Sequence, residues 1–148
     1  MTKNKFTLID LFAGAGGMSL GFEMTGEFKI LGAIDNWEPA VNTFRLNHPD
    51  IPDDRIMCAD VSDYFPVGDQ ERKYKIPEWI KTNSVDVVIG GPPCQGMSLA
   101  GKRISDDPRN YLFKSFIKAV AYIKPKIFIM ENVPGLLSTA HGEINKAI

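Results

Sequence analysis

Cys94 sits in Gly90-Gly91-Pro92-Pro93-Cys94-Gln95-Gly96, directly after the apolar run Val85-Asp86-Val87-Val88-Ile89. The prolines fix φ and remove two backbone donors, and the glycines admit backbone shapes that other residues resist. The stretch therefore reads as a device that aims one thiol. A free thiol with a pKa near 8.5 is only about 3% thiolate at neutral pH, so its electrophile must be held closely or the thiol activated by its setting. Glu131 opens Glu131-Asn132-Val133 after a second apolar run, Ile127 to Met130. A carboxyl beside a nucleophile can give or take a proton. Each residue also has a plainer reading: Cys94 as a small buried apolar side chain, and Glu131 as the ion-pair partner of Lys102 or Arg103. An irregular Pro/Gly loop argues against the first. The second is compatible with a chemical role.

A separate set of residues suggests a bound nucleoside. Asp10-Leu11-Phe12-Ala13-Gly14-Ala15-Gly16-Gly17 joins an apolar run to a helical one. Glycines at 14, 16 and 17 allow close backbone approach, and the following helix offers free N–H groups. The spacing is not that of a dinucleotide fingerprint, because the third glycine falls at 17 rather than 19, and the Gly-Lys-Ser/Thr of a P-loop is absent. Alone, the stretch would be a tight strand-to-helix turn. The next apolar run ends in Ile34-Asp35, where an acid bonds ribose hydroxyls in nucleoside-binding α/β folds, about 20 residues past the glycines. The run after that ends in Asp60, placed to accept from an adenine amino group. Phe12 and Trp37 could sandwich a flat ring. Each acid could instead cap a helix or face solvent, but the three features agree on an adenosine. No lysine stands in the glycine loop to meet a phosphate, and S-adenosylmethionine fits.

The elements that must position these residues alternate strand with helix. Strands are predicted at Phe6 to Leu11, Lys29 to Ile34, Ile56 to Ala59, Val85 to Ile89 and Ile127 to Met130. Helices are predicted at Ser19 to Thr25, Pro39 to Asn47 with proline in the first turn, and Tyr111 to Ile123. The last carries apolar residues at 112, 113, 116, 117, 120 and 123. Ser62 to Thr82 reads as polar and irregular, with a short helix at Pro77 to Lys81. A glycine- and charge-rich loop spans Gly90 to about Arg109, and a new helix begins near Gly135. The pattern predicts an α/β fold, a Rossmann-like doubly wound and mostly parallel sheet covered on both faces, incomplete at its C-terminus.

At 148 residues, 44% hydrophobic and 24% charged, the chain is one domain or most of one. Its formal net charge of −1 gives no hint of a nucleic-acid partner. The distribution is less even: seven Lys/Arg fall between Gly101 and Lys126 against Asp106 and Asp107, while acids dominate from Asp50 to Glu71. The plain reading of such runs is a solvated face, the sharper one a phosphate-facing patch. Cys58 and Cys94 form neither a disulfide framework nor a zinc cluster, which points to a reducing compartment. The start, MTKNKFTLID, contains no signal peptide or membrane span, so a cytosolic protein is expected.

DLFAGAGGMSLGFE, GGPPCQGMSLAGKR and MENV, in that order, resemble the cytosine-specific DNA methyltransferases that modify carbon 5, over nearly the whole chain. The resemblance implies a methyltransferase of a restriction-modification system acting on double-stranded DNA, with S-adenosylmethionine as cofactor. It implies that Phe12, Gly14, Gly16 and Gly17 form the cofactor turn, that Asp35 binds the ribose, and that Asp60, followed by Val61, binds the adenine. Asn36 or Trp37 would pack on the adenine, and Pro93 and Leu112 would line the cofactor and base pocket. Cys94 would attack carbon 6 of cytosine, and Glu131 would contact ring nitrogen 3 and the exocyclic amine. Because carbon 6 is inaccessible in a duplex, the base must be flipped out. The loop from Gln95 to Arg109 would close over it, with Gln95, Ser98, Lys102 and Arg103 on the DNA side.

RNA cytosine methyltransferases with a second active-site cysteine are similar in chemistry, but they need a Cys near position 131. The family pattern continues with a Gln-x-Arg-x-Arg motif, a target-recognition region and a late Gly-Asn helix, none of which follows here. Residues 1–148 are therefore expected to be the N-terminal portion of the catalytic domain, requiring a complementary subunit or a missing C-terminal segment. A decayed nucleoside-binding fragment, or a tRNA cytosine methyltransferase on the same plan, are the competing expectations.

Overall fold

The computed structural model describes residues 4–67, 75–93 and 112–131. Five strands form one sheet: β1 (Phe6–Leu11), β2 (Phe28–Asp35), β3 (Ile56–Cys58), β4 (Val87–Gly90) and β5 (Ile127–Met130), in the order β3-β2-β1-β4-β5. All four pairings are parallel. The connecting helices are α1 (Gly17–Met24), α2 (Glu38–Asn47), α3 (Val61–Tyr64), α4 (Glu78–Thr82) and α5 (Leu112–Ile123). This is the doubly wound α/β architecture expected from the alternating pattern.

A parallel sheet covered on both faces needs apolar side chains on both, and alternate strand residues feed two separate cores here. Leu8, Ile30, Ala33, Val87 and Ile89 pack against Val41 and Phe44 of α2, with Met18 and Phe22 of α1 alongside. On the other face Ile9, Leu11, Leu31, Ile34 and Val88 meet Val61 and Phe65 near α3, Trp79 and Ile80 of α4, and Phe116 and Ala119 of α5. The chain leaves β3 at one edge and re-enters at β4, on the far side of β1. Connections after β1 and β4 therefore diverge, and the crevice between them lies at the carboxyl ends of the strands, the usual ligand position in such sheets.

The opposite, amino edge is tied by charge. The Thr7 N–H donates to Asp86 Oδ2 at 2.9 Å, and Lys126 Nζ lies 2.7 Å from Asp86 Oδ1. The lysine hydrogen bond, followed by that from the Thr7 backbone, holds the Asp86 carboxyl below its ordinary range. Asp86 thus links the starts of β1, β4 and β5.

Two local differences from the sequence reading have physical causes. The stretch read as irregular from Ser62 to Thr82 opens inside α3 (Val61–Tyr64) and closes with α4, a helix near the one expected at Pro77 to Lys81. Four residues are too few to display a 3.6-residue period, and the only local signal for α3 is its cap: Asp60 Oδ1 accepts the Ser62 N–H at 2.8 Å. Helix α1 starts at Gly17, two residues earlier than expected, because Gly16 takes the left-handed conformation (φ 88°) that lets the turn feed directly into a helix. The helix expected near Gly135 lies outside the described residues.

Candidate active site

Five strand ends converge on the carboxyl edge. Register pairs Leu11 with Ile34 and with Gly90, Asp35 with Cys58, and Gly90 with Met130. The residues that follow these positions, Phe12, Asn36, Ala59, Gly91 and Glu131, are therefore brought side by side from distant parts of the chain.

The glycine turn leans on β2. The Phe12 N–H donates to the Ile34 carbonyl at 2.9 Å, and Phe12 itself has φ 59°, a conformation uncommon for a residue with a side chain. Asp35 braces the turn with both oxygens: Oδ2 accepts the Gly14 N–H at 2.8 Å and Oδ1 the Trp37 N–H at 2.9 Å. Each oxygen keeps a second lone pair for a ligand hydroxyl. The Gly16 N–H returns to the Ala13 carbonyl at 3.0 Å, so Gly17 and the residues after it start α1 with N–H groups that have no intrahelical acceptor.

Asp60 does cap a helix, the plainer of the two readings, but through one oxygen only. Its Oδ2 faces Asn36 Nδ2 at 3.5 Å, which leaves acceptor capacity toward the crevice. Val61 is the first residue of α3, so its N–H has no intrahelical acceptor. Phe12 is partly buried against the core, whereas Trp37 is 65% exposed. The two rings thus sit in different surroundings, and of the pair it is Trp37 that leaves a ring open to a ligand.

The β4 and β5 ends complete the edge. A Cβ at Gly90 would stand 2.1 Å from the Leu11 carbonyl oxygen and 2.9 Å from the Phe116 ring. Gly90 is there because there is no room for a side chain, not because of its φ. At Gly91 a Cβ would lie 3.4 Å from Glu131 Oε2, and the Glu131 N–H donates to the Gly90 carbonyl at 2.9 Å. The Glu131 carboxylate therefore sits against the turn that leads to Cys94. Pro92 is buried, and Pro93 and Leu112 are half-buried. Cys94 and the candidate DNA-side residues Gln95, Ser98, Lys102 and Arg103 lie outside the described residues. Among the described residues no cluster of His, Cys, Asp or Glu could hold a metal ion, and no helix is long and apolar enough to cross a membrane.

The sequence reading gave no role to Asp10, Ser19 or His48. Asp10, 1% exposed in β1, accepts from the Ser19 hydroxyl at 2.7 Å and so fastens α1 to the strand beneath the glycine turn. Burial pushes its carboxyl up to about 7, against the opposing pull of the Ser19 hydrogen bond, and the charge of Asp35 adds to the rise. An acid with a raised folded-state pKa holds its proton where the unfolded chain has lost it, so stability falls as pH rises from about 4 to about 7. Asp10→Asn keeps an acceptor for Ser19 and removes the titration. The variant is expected to flatten that part of the stability–pH curve and to exceed the parent at pH 8, by on the order of a few kcal/mol. Chemical denaturation from pH 4 to 8 checks this, and parallel curves for the two proteins would refute it. The sequence signal was faint: an acid inside an otherwise apolar strand.

Comparison with known proteins converges on one family. The family model for C-5 cytosine-specific DNA methylase matches residues 6–148. The chain is 44% identical over 131 residues to the Type II methyltransferase M.DdeI of Desulfomicrobium norvegicum, covering 88% of this chain and 28% of that protein. It is 44% identical over 125 residues to the Type II methyltransferase M.HgiGI of Herpetosiphon aurantiacus, covering 84% of this chain and 88% of the other. Among solved structures, a candidate DNA modification methyltransferase from an E. coli prophage superposes with a TM-score of 0.73 at 35% identity, over 97% of this chain and 36% of that one. The chain thus spans little more than a quarter of M.DdeI and about a third of the prophage protein.

Proposed function

This chain belongs to the C-5 cytosine-specific DNA methylase family, and on that premise we propose that it binds S-adenosylmethionine and carries the nucleophile for methyl transfer to carbon 5 of cytosine in DNA. It would act with a complementary segment or subunit that recognises the target. One observation carries the reading: the Asp35-braced glycine turn, Asp60, and Glu131 beside the turn leading to Cys94 all stand along the carboxyl edge of one sheet, on either side of the switch point between β1 and β4.

The cofactor, when bound, supplies an electrophilic methyl group on a sulfonium. Asp35 would accept from the ribose hydroxyls and Asp60 Oδ2 from the adenine amine, with the Val61 N–H donating to the ring and Asn36 or Trp37 packing on it. The N–H groups at the start of α1 would meet the carboxylate of the amino-acid end, since helix N-termini favour anions. The target cytosine must leave the duplex to reach the crevice. Cys94 Sγ forms a bond to carbon 6, and Glu131 stabilises the ring at nitrogen 3 and the exocyclic amine as negative charge develops. Carbon 5 would then take the methyl group as the methyl–sulfur bond breaks, the cofactor leaving as a neutral thioether. Loss of the carbon-5 proton to a base would send its electron pair into the ring and expel Cys94 as the thiolate.

The test is transfer of labelled methyl from S-adenosylmethionine into DNA by the chain together with its complementary segment. Asp35→Asn offers one acceptor where two N–H groups need one, so its amide opposes Gly14 or Trp37. Leaving a donor unpaired costs about 1–3 kcal/mol, and cofactor binding measured by calorimetry is expected to weaken by roughly 10- to 100-fold. Unchanged affinity in Asp35→Asn would rule out the turn as the cofactor site.

A further inference from the structure

His48 ends α2 and is 2% exposed. Its ring lies on Phe44, with centroids 4.3 Å apart and planes at 33°. Nδ1 is 2.9 Å from Glu23 Oε2, so the end of α2 is joined to the last turn of α1. Nε2 is buried and has no hydrogen-bond partner among the described residues. It points at the glycine turn: a Cβ on Gly16 would come within 2.8 Å of Nε2 and within 2.7 and 2.9 Å of two Phe44 ring atoms. One residue earlier, Asn47 Nδ2 reaches the Ala15 carbonyl at 3.5 Å. The end of α2 thus lies against residues 15 and 16 of the turn.

A buried imidazole nitrogen without a partner has a desolvation cost, and such a group calls for an explanation. Nδ1–H donates to the Glu23 carboxylate, whose oxygens can only accept, while the Nε2 edge lies against Gly16, where the missing Cβ leaves it room. Apolar packing under the turn needs no nitrogen; fixing the ring's rotation by a charge-assisted bond does.

We infer that His48 is a positioning residue for the cofactor turn: held by Glu23 and Phe44, its ring sets the height of Gly16 and so the aim of the N–H groups that begin α1. The inference rests on the proposed cofactor reading. It predicts a split within one ligand, because Asp35 and Asp60 hold the nucleoside whereas the α1 terminus faces the amino-acid carboxylate. Methylthioadenosine keeps the nucleoside and lacks that carboxylate.

Calorimetry on the full chain should show His48→Phe binding S-adenosylmethionine about tenfold more weakly, the scale of one helix-terminus anion contact in a partly buried setting, with methylthioadenosine affinity changed less than about twofold. Glu23→Gln, which leaves the ring in place and removes the charge on its anchor, should move in the same direction by a smaller factor, and it carries the test if His48→Phe does not fold. Equal losses for both ligands would mean that His48 serves stability alone and would overturn the inference, as would no loss for either. Should the parent chain bind neither ligand, the cofactor reading fails first. A parent that binds both while the variants show no split refutes only the role of His48.

Discussion

Cys94→Ala is expected to abolish methyl transfer, with a loss of at least about 10⁴-fold, the scale seen when a covalent nucleophile is removed. Cofactor affinity should change little, because the groups assigned polar contacts with the cofactor sit on the loops after β1, β2 and β3 while Cys94 follows β4. The decisive measurement uses DNA carrying 5-fluorocytosine in the target. After attack at carbon 6 and methylation at carbon 5, no proton is left to remove, so the S–C6 bond cannot be broken and protein stays attached to DNA. The parent chain with its complementary segment should give a band that survives denaturing electrophoresis, and Cys94→Ala should not. An adduct of equal yield in the variant would displace Cys94 from the mechanism. Glu131→Gln should form the adduct slowly rather than not at all, since it alters charge stabilisation but leaves the nucleophile.

Gly16→Ala should be the most damaging single-methyl change among the described residues of the turn. The new Cβ would meet Phe44 and His48 at 2.7–2.9 Å, and both are buried against the sheet with little room to withdraw. The φ of 88° adds a conformational penalty that glycine escapes. Overpacking costs about 1–3 kcal/mol and a left-handed conformation about 1–2, so roughly 2–5 kcal/mol of stability should go. For a chain of this size that corresponds to a fall in Tm of about 10 °C. If the fold survives, cofactor binding should be lost at ligand concentrations that saturate the parent. Gly14→Ala is the control: its φ is also positive, but a Cβ there meets nothing within 4 Å. It should therefore show the conformational penalty alone, and equal effects at the two positions would argue against the steric account.

The contrast between these glycines marks what the sequence could and could not convey. Phe6 to Leu11 and Ile127 to Met130 are strands with the bounds expected of them, because a short apolar run bounded by turn residues has few other uses in an alternating pattern. Asp35, Asp60 and Glu131 were findable because each follows an apolar run and therefore falls at a strand's carboxyl end. That Gly14 needs its φ, Gly16 both φ and space, and Gly90 only space depends on Leu11, Phe44, His48 and Phe116, which are distant in sequence. Asp10 and His48 were silent for the same reason. A buried polar residue gains its meaning from partners that only the folded chain supplies, Ser19 for one and Glu23 for the other. Helix α3 was missed because a single turn is encoded by its cap alone, and the capping aspartate had already been read for another purpose.

Asp35 carries a consequence for how a ligand meets this protein. Its two oxygens accept from the Gly14 and Trp37 N–H groups of the chain itself, so the fold supplies the bracing of the turn proposed to receive the nucleoside. A visitor has little backbone left to order there, and the entropy of shaping that turn is charged to folding rather than to binding. Encounter with a small nucleoside should then follow single-step kinetics whose rate scales with ligand concentration and does not plateau, whereas any slow, saturable phase would have to arise elsewhere, when DNA is engaged.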